Sequence, residues 1–198
     1  MKIGLTGSIA CGKSTVSAYL RELGYFVADA DAVSHAMTAP GGPALPALRA
    51  AFGDGIFDGN ALNRRALGSI VFASEEKRAQ LNAILHPMII SEIAAQLNAH
   101  DRDDTLVFGD VPLLYECGME HMFDRIWVVS VPREEQIARL HIRDGLSCEE
   151  AALRIDAQMP LAQKEQRADA VISTLGSIPQ TRSQIDALLS SARQRRQA

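Results

Sequence analysis

The chain has 198 residues, 47% of them hydrophobic, and a formal net charge of −4 from 20 basic and 24 acidic side chains. That is enough apolar material for one sizeable domain, or a domain with an inserted lobe, and too much for wholesale disorder. The acidic balance argues against a nucleic-acid or anionic-membrane binder working by bulk electrostatics, so any phosphate site has to be built locally from a few aimed groups.

The opening "MKIGLTGSIA" lacks the apolar run of a signal peptide and reads as a strand entering a loop. No stretch is long and apolar enough to span a bilayer. Cys11, Cys117 and Cys148 are odd in number and widely spaced, which fits a reduced, cytoplasmic compartment.

Taken in chain order, "KIGLT" is a buried-type strand, and "KSTVSAYLREL" has helical periodicity through Val16, Tyr19, Leu20 and Leu23. Gly24 stands where that helix should end, and "YFVADAD" is the next strand. This βαβ unit predicts a parallel sheet. From about 34 to 103 the chain reads as a helical insertion. A turn at "TAPGGPALPAL" leads into a helix through "ALRAAF", and a long helical pattern from Glu75 should kink or break at Pro87. "DTLVFGDV" and "DRIWVVSV" are further strands. "PREEQIARLHIRDG" is a helix with Pro132 at a permitted first-turn position, and Ser147 with Glu150 has capping-box spacing for a helix through "AALRIDAQ". "ADAVIST" is a last strand and "TRSQIDALLSSARQ" a last helix, whose basic tail "ARQRRQA" reads as a solvated helix end. The expected architecture is a three-layer α/β fold with a parallel sheet. Its core takes residues of about 1–33, 104–138 and 168–198, and a lid takes about 139–167.

The strongest local signal is "GSIACGKST". Gly7, Gly12, Lys13 and Ser14 satisfy G-x-x-x-x-G-K-S in full, with a strand before and a helix after. The intervening Ser8, Ile9, Ala10 and Cys11 complete a loop whose N–H groups can turn inward, at a helix N-terminus whose dipole favours anions. Lys13 is expected to reach the β- and γ-phosphates of ATP, Ser14 to ligate Mg²⁺, and Thr15 to bind an α-phosphate oxygen. Cys11 is either a small residue at a variable position or a thiol whose pKa the helix N-terminus lowers. In the second case, bound nucleotide should protect it from alkylation.

Carboxylates stand at the predicted carboxyl ends of the strands, where open α/β sheets bind ligands. Asp29 and Asp31 close the second strand and aim the same way if the strand persists. Asp110 closes the third, the place of a carboxylate that holds the metal's waters. Each could instead be a helix cap or turn residue. Arg139 and Arg143 share one helix face and Arg154 follows on the next helix. They are candidates to neutralise charge on a transferring phosphoryl group, or else solvated partners of Glu134, Glu135 and Glu150. Arg64 and Arg65 in "LNRRAL" could hold an anionic acceptor, and His86 is a cap, a core residue or a ligand-facing group.

These features suit a P-loop small-molecule kinase. A GTPase switch needs a base-reading N-K-x-D, which is absent from the sequence. An ATPase motor or ATP-sensing module usually has partner-binding domains or a sensor arginine from a neighbour; a carboxylate near the metal and a lid favour the kinase.

The set "GSIACGKST", "VADAD", "LNRRAL", "VF" at 71–72, "LNAILHPMI", "DVPLLYE" and "RIDAQ" spans nearly the whole chain and resembles the dephospho-coenzyme A kinase family. The resemblance implies transfer of the ATP γ-phosphate to the ribose 3′-hydroxyl of dephospho-coenzyme A by a monomer or small homo-oligomer, with no nucleic-acid or membrane partner. It implies a P-loop α/β fold with a nucleotide core, a helical acceptor-binding domain and a lid. It makes Asp31 the candidate base, Arg139 the transition-state arginine and Arg143 a nucleotide contact. Arg64, His86, Pro112, Leu113 and Glu116 would lie in or near the acceptor site. The chain departs from the family's usual loop, "GGIGSGKS", at Ser8, Ala10 and Cys11. It has Thr174 or Leu175 where an asparagine often precedes "GS".

Overall fold

A computed structural model describes the backbone of residues 1–197 and the side-chain surroundings of residues 1–194. In chain order the first elements are β1 (Lys2–Gly7), α1 (Lys13–Glu22), β2 (Phe26–Asp29), α2 (Ala30–Met37) and α3 (Leu45–Phe52). A short hairpin of β3 (Phe57–Asp58) and β4 (Ala61–Leu62) follows, then α4 (Arg64–Ala73) and α5 (Glu75–His100). The chain continues through β5 (Val107–Asp110), β6 (Arg125–Ser130), α6 (Arg133–Asp144), α7 (Cys148–Asp156), α8 (Leu161–Gln166), β7 (Ala170–Ser173) and α9 (Ile178–Gln197).

The five-stranded sheet has the order β2-β5-β1-β6-β7. β1 pairs in parallel with β5, Leu5 opposite Asp110, and with β6, Gly7 opposite Val129. β6 pairs in parallel with β7. The central strand is nearly all buried because helices cover the sheet, which is why it reads as a continuous apolar run and not an alternation. Ile3, Leu5, Phe108, Trp127, Val129 and Ile172 form the heart of the core, with Val16 and Leu20 of α1 and Ile185 and Leu189 of α9 packed on it. Each such fully buried side chain contributes about 1.5–3 kcal/mol.

The chain divides into two compact units. One, residues 1–28 and 97–198, holds most of the sheet and the phosphate loop. The other, residues 29–96, is largely helical and buries Leu48, Ile56, Leu67 and Val71. Two of its helices, α2 and α4, begin on side-chain caps. Asp29 accepts from the Asp31 and Ala32 N–H groups at 3.0 and 3.1 Å, and Asn63 accepts from Ala66 N–H at 2.9 Å. These caps satisfy N–H groups that a helix start otherwise leaves orphaned.

Several expectations are corrected. The second strand does not persist to Asp31: it stops at Asp29, the cap of α2, and Asp31 lies in the first helical turn. The alternation argument therefore does not place the two carboxylates. Pro87 does not break α5, which runs 26 residues through it. The exposed Pro87 removes one bond, to the Ala83 carbonyl, and the remaining ladder carries the helix on. Pro132 stands one residue before α6, as its cap, and not inside the first turn. The helix after Ser147 ends at Asp156, short of Gln158; its capping box is present in full. α8 and the β3–β4 hairpin were too short to register as periodic patterns. The tail expected to be a solvated helix end continues α9 as far as Gln197, and the side chains of 195–198 lie outside the described residues. No helix of the described residues is long and apolar enough to cross a membrane.

Candidate active site

The site is built where β1 ends. Gly7 finishes the strand against β6, and a β-carbon there would lie 2.5 Å from the Cys11 Sγ and 2.7 Å from the Val129 carbonyl oxygen. Gly12 has φ +85°, and its β-carbon would fall 3.1 Å from Thr174 Oγ1 and 3.3 Å from an Arg139 guanidinium nitrogen. Only glycine combines that backbone with that space. Ala10 also takes a left-handed conformation, with φ 60°, and it is the one non-glycine residue with positive φ among the described residues.

A phosphate loop turns N–H groups inward, so its carbonyls point outward and each must find a donor. Every carbonyl from Gly7 to Gly12 has one. Gly7 O accepts from the Lys164 ammonium at 3.0 Å and Ser8 O from Cys11 N–H at 3.3 Å. Ile9 O accepts from Gln136 Nε2 at 2.7 Å, Ala10 O from Arg139 Nη1 at 3.4 Å, and Cys11 O from the Thr174 hydroxyl at 2.6 Å. Gly12 O accepts from Thr15 N–H at 3.0 Å inside α1. Gln158 adds a brace by accepting from the Ser8 hydroxyl and the Ile9 N–H at 3.1 and 2.9 Å. A helix start leaves its first N–H groups without intrahelical partners. α1 opens on Gly12, which brings no side-chain cap, so these N–H groups suit an anion.

Lys13 and Asp110 form an ion pair, with Asp110 almost fully buried at the end of β5. Ser14 and Thr15 are exposed in the first turn of α1. Beside the loop a cavity of about 450 Å³ opens between Gly12, Ser14 and Thr15 on one side and Arg143, Thr174 and Ile178 on the other. Burial pushes the Cys11 thiol up; the Lys13 charge and nearby N–H groups oppose this only in part. The lowered-pKa alternative for Cys11 is therefore corrected. The helix N-terminus does not outweigh a side chain that is 1% exposed.

Arg139 reaches the site, but its guanidinium is already engaged. It bonds Glu135 Oε1 at 2.9 Å, Thr174 Oγ1 at 3.1 Å and Thr174 O at 2.8 Å, besides Ala10 O. Arg143 lines the same cavity and forks onto Asp144 at 2.8 and 2.9 Å; that hydrogen bonding, with the Arg143 and Arg154 charges, holds the Asp144 carboxyl below the usual range. Arg154 pairs with Asp144 at 3.6 Å. Pro112 O accepts from the Thr6 hydroxyl at 3.0 Å, Leu113 is exposed, and Glu116 Oε1 pairs with Lys164 at 2.8 Å and accepts from Met159 N–H at 3.0 Å. In the helical unit, Arg64 donates to Thr38 Oγ1 at 2.7 Å, Arg65 is exposed, and His86 is half-buried on α5. Asp31, of the same unit, lies in the first turn of α2.

Sequence reasoning missed Gln136, Gln158 and Lys164, and it singled out Thr174 without its bond to the loop. None belongs to the loop motif, and all act through carbonyls or N–H groups that carry no residue identity. Gln158 ends "RIDAQ", one of the segments that carry the family resemblance, and that is the one signal in the sequence that points to it.

A phosphate loop between a central strand and its helix, with the loop lysine paired to a carboxylate at the end of the neighbouring strand, defines a P-loop phosphotransferase. The family model for dephospho-CoA kinase matches residues 1–180. A curated dephospho-CoA kinase of Symbiobacterium thermophilum is 50% identical over 188 residues, covering 93% of this chain and 78% of that protein. A crystal structure from Thermus thermophilus superposes with TM-score 0.81 at 36% identity, covering 96% of this chain and 97% of that one. Dephospho-CoA kinase from Campylobacter jejuni does so with TM-score 0.77 at 28% identity, covering 98% of each chain. The chain belongs to the dephospho-CoA kinase family, and its activity is the ATP-dependent phosphorylation of dephospho-CoA to CoA.

Proposed function

We propose that the phosphate loop holds the ATP triphosphate and that the γ-phosphoryl group passes in line to the ribose 3′-hydroxyl of dephospho-CoA. The observation that carries this reading is the carbonyl accounting above: with each outward oxygen from Gly7 to Gly12 bonded, the loop is fixed before nucleotide arrives. A preorganised site loses less free energy in ordering when the ligand binds.

Lys13 exchanges Asp110 for the β- and γ-phosphates. Thr15 binds an α-phosphate oxygen. Arg139 stabilises charge on the transferring group, and Arg143 contacts nucleotide across the cavity they share. A ribose hydroxyl is a weak nucleophile at neutral pH, so orientation by a carboxylate counts for more than full deprotonation. Asp31 takes that role by family resemblance. Arg64, His86, Pro112, Leu113 and Glu116 form or support the acceptor site, with arginine suited to the acceptor's own pyrophosphate.

The exposed Ser14 hydroxyl and the Asp110 carboxylate are hard oxygen donors that fit Mg²⁺, Ser14 directly and Asp110 through water. When bound, the ion neutralises phosphate charge. Residues 139–167 serve as the lid and the helical insertion receives the acceptor. The protein works in the cytoplasm as a monomer or small homo-oligomer, without nucleic acid or membrane.

ADP release by the purified protein with Mg²⁺-ATP, measured with dephospho-CoA, adenosine, AMP or shikimate, tests the reading. Stimulation by dephospho-CoA alone, with the new phosphate on the 3′ position, is expected. Release without acceptor dependence would point to an ATPase.

A further inference from the structure

Lys164 is fully buried, and its ammonium has three acceptors: Gly7 O at 3.0 Å, Pro112 O at 3.2 Å and Glu116 Oε1 at 2.8 Å. An ammonium has three donors and no acceptor, so its capacity is filled. The two carbonyls mark a particular place. β1 and β5 are paired with Leu5 opposite Asp110, and the last main-chain bond of this ladder runs from Val111 N–H to Leu5 O at 2.9 Å. Two residues on from that pair stand Gly7 and Pro112. There the strands part, and the first turns into the phosphate loop: the ladder runs from Val107 N–H to Met1 O and from Val111 N–H to Leu5 O, so Gly7 O is the next acceptor in register. Lys164, from α8, supplies the donor for Gly7 O and also bonds Pro112 O, which accepts from the Thr6 hydroxyl of β1 as well, so its ammonium joins both chains at the split.

We infer that Lys164 is a positioning residue for the phosphoryl transfer: its ammonium sets the spacing between the phosphate loop and the β5 end that carries Asp110, with Glu116 as its counter-charge. The two sides of the split carry Lys13 and Asp110, which must be held in fixed register for the loop to exchange one for phosphate. Ligands of open α/β sheets bind beyond such a divergence. A misplacement there of about 1 Å costs on the order of 100-fold in rate. The inference rests on the kinase reading for what is positioned, and its readout is ATP affinity measured without acceptor, which does not depend on the identity of the acceptor.

The test compares Lys164→Met, the pair Lys164→Met/Glu116→Leu, and Lys164→Gln, by thermal melting, calorimetric ATP affinity without acceptor, and kcat. Lys164→Met alone removes the donor of Gly7 O and the counter-charge of Glu116, whose side chain is 22% exposed and keeps its bond from Met159 N–H, and should melt on the order of 5 °C lower. The double variant replaces both charges by apolar groups and should regain most of that loss. ATP affinity in it should still be weaker by about tenfold and kcat lower by about 30-fold, because neither new side chain bonds Gly7 O or Pro112 O. An ATP affinity within twofold of the parent in the double variant overturns the inference and leaves the pair a purely structural one. A purely acceptor-binding Glu116 would change KM for dephospho-CoA and leave that ATP affinity alone, which overturns it equally. If the double variant does not melt cooperatively, Lys164→Gln decides by the same ATP criterion. If neither melts cooperatively, Lys164 is a folding residue and the inference falls.

Discussion

The Thr174 hydroxyl donates to the Cys11 carbonyl at 2.6 Å, joining the residue after β7 to the phosphate loop across 163 positions of sequence. The same oxygen accepts from Arg139 at 3.1 Å. One small side chain thus closes a relay from helix α6 to the loop. Thr174→Val keeps the shape and removes both bonds, leaving the Cys11 carbonyl without its donor. We expect a loss of about 1–3 kcal/mol in urea unfolding and a raised KM for ATP. Unchanged stability would show that another donor replaces the hydroxyl.

Lys13→Ala should abolish turnover. It should also destabilise the nucleotide-free protein by on the order of 2–3 kcal/mol, since Asp110 is 4% exposed and loses its counter-charge. Loss of activity at full stability would argue that the pair contributes nothing before ATP binds.

Asp31→Asn should cut kcat by about 100-fold or more while ATP affinity stays near that of the parent, as expected for a group that acts on the acceptor hydroxyl. A normal rate removes Asp31 from the mechanism and returns it to being a first-turn residue of α2.

Arg139→Ala should lower kcat by at least about 100-fold. Because Arg139 also bonds Ala10 O and Thr174, a melting shift worth about 1–2 kcal/mol should accompany it. The stability term alone, with turnover intact, would make Arg139 a brace and not a transition-state group.

Ala10→Gly should stabilise the protein by about 0.5–1 kcal/mol, because Ala10 holds φ at 60° where L-residues are disfavoured. A drop in melting temperature would mean that its methyl group makes packing contacts worth more than the backbone strain. Cys11 should resist alkylation with or without ATP, since burial raises its pKa, whereas the exposed Cys148 should label first. Peptide mass spectrometry with Cys11 modified as fast as Cys148 would contradict this.

The amino-acid sequence alone specified the loop, because G-x-x-x-x-G-K-S states a local backbone requirement in local residues: glycine for positive φ at Gly12, lysine and hydroxyl for phosphate and metal. It determined the order of strands and most helices for the same reason, since periodicity and caps act over one or two turns. The tertiary structure alone decided what holds the loop. Lys164, Gln136, Gln158 and Thr174 reach it from 120 or more positions away, as in the Gln136 contact with Ile9 across 127 residues. Lys164, Gln136 and Thr174 bond main-chain carbonyls and Gln158 a main-chain N–H, groups that almost every residue carries and that leave no mark in a sequence motif. It also decided that β2 stops at Asp29 and that Cys11 is a buried thiol whose pKa burial raises. Strand length depends on where the capping side chain of Asp29 finds its N–H partners, and a thiol's charge on how much protein covers it.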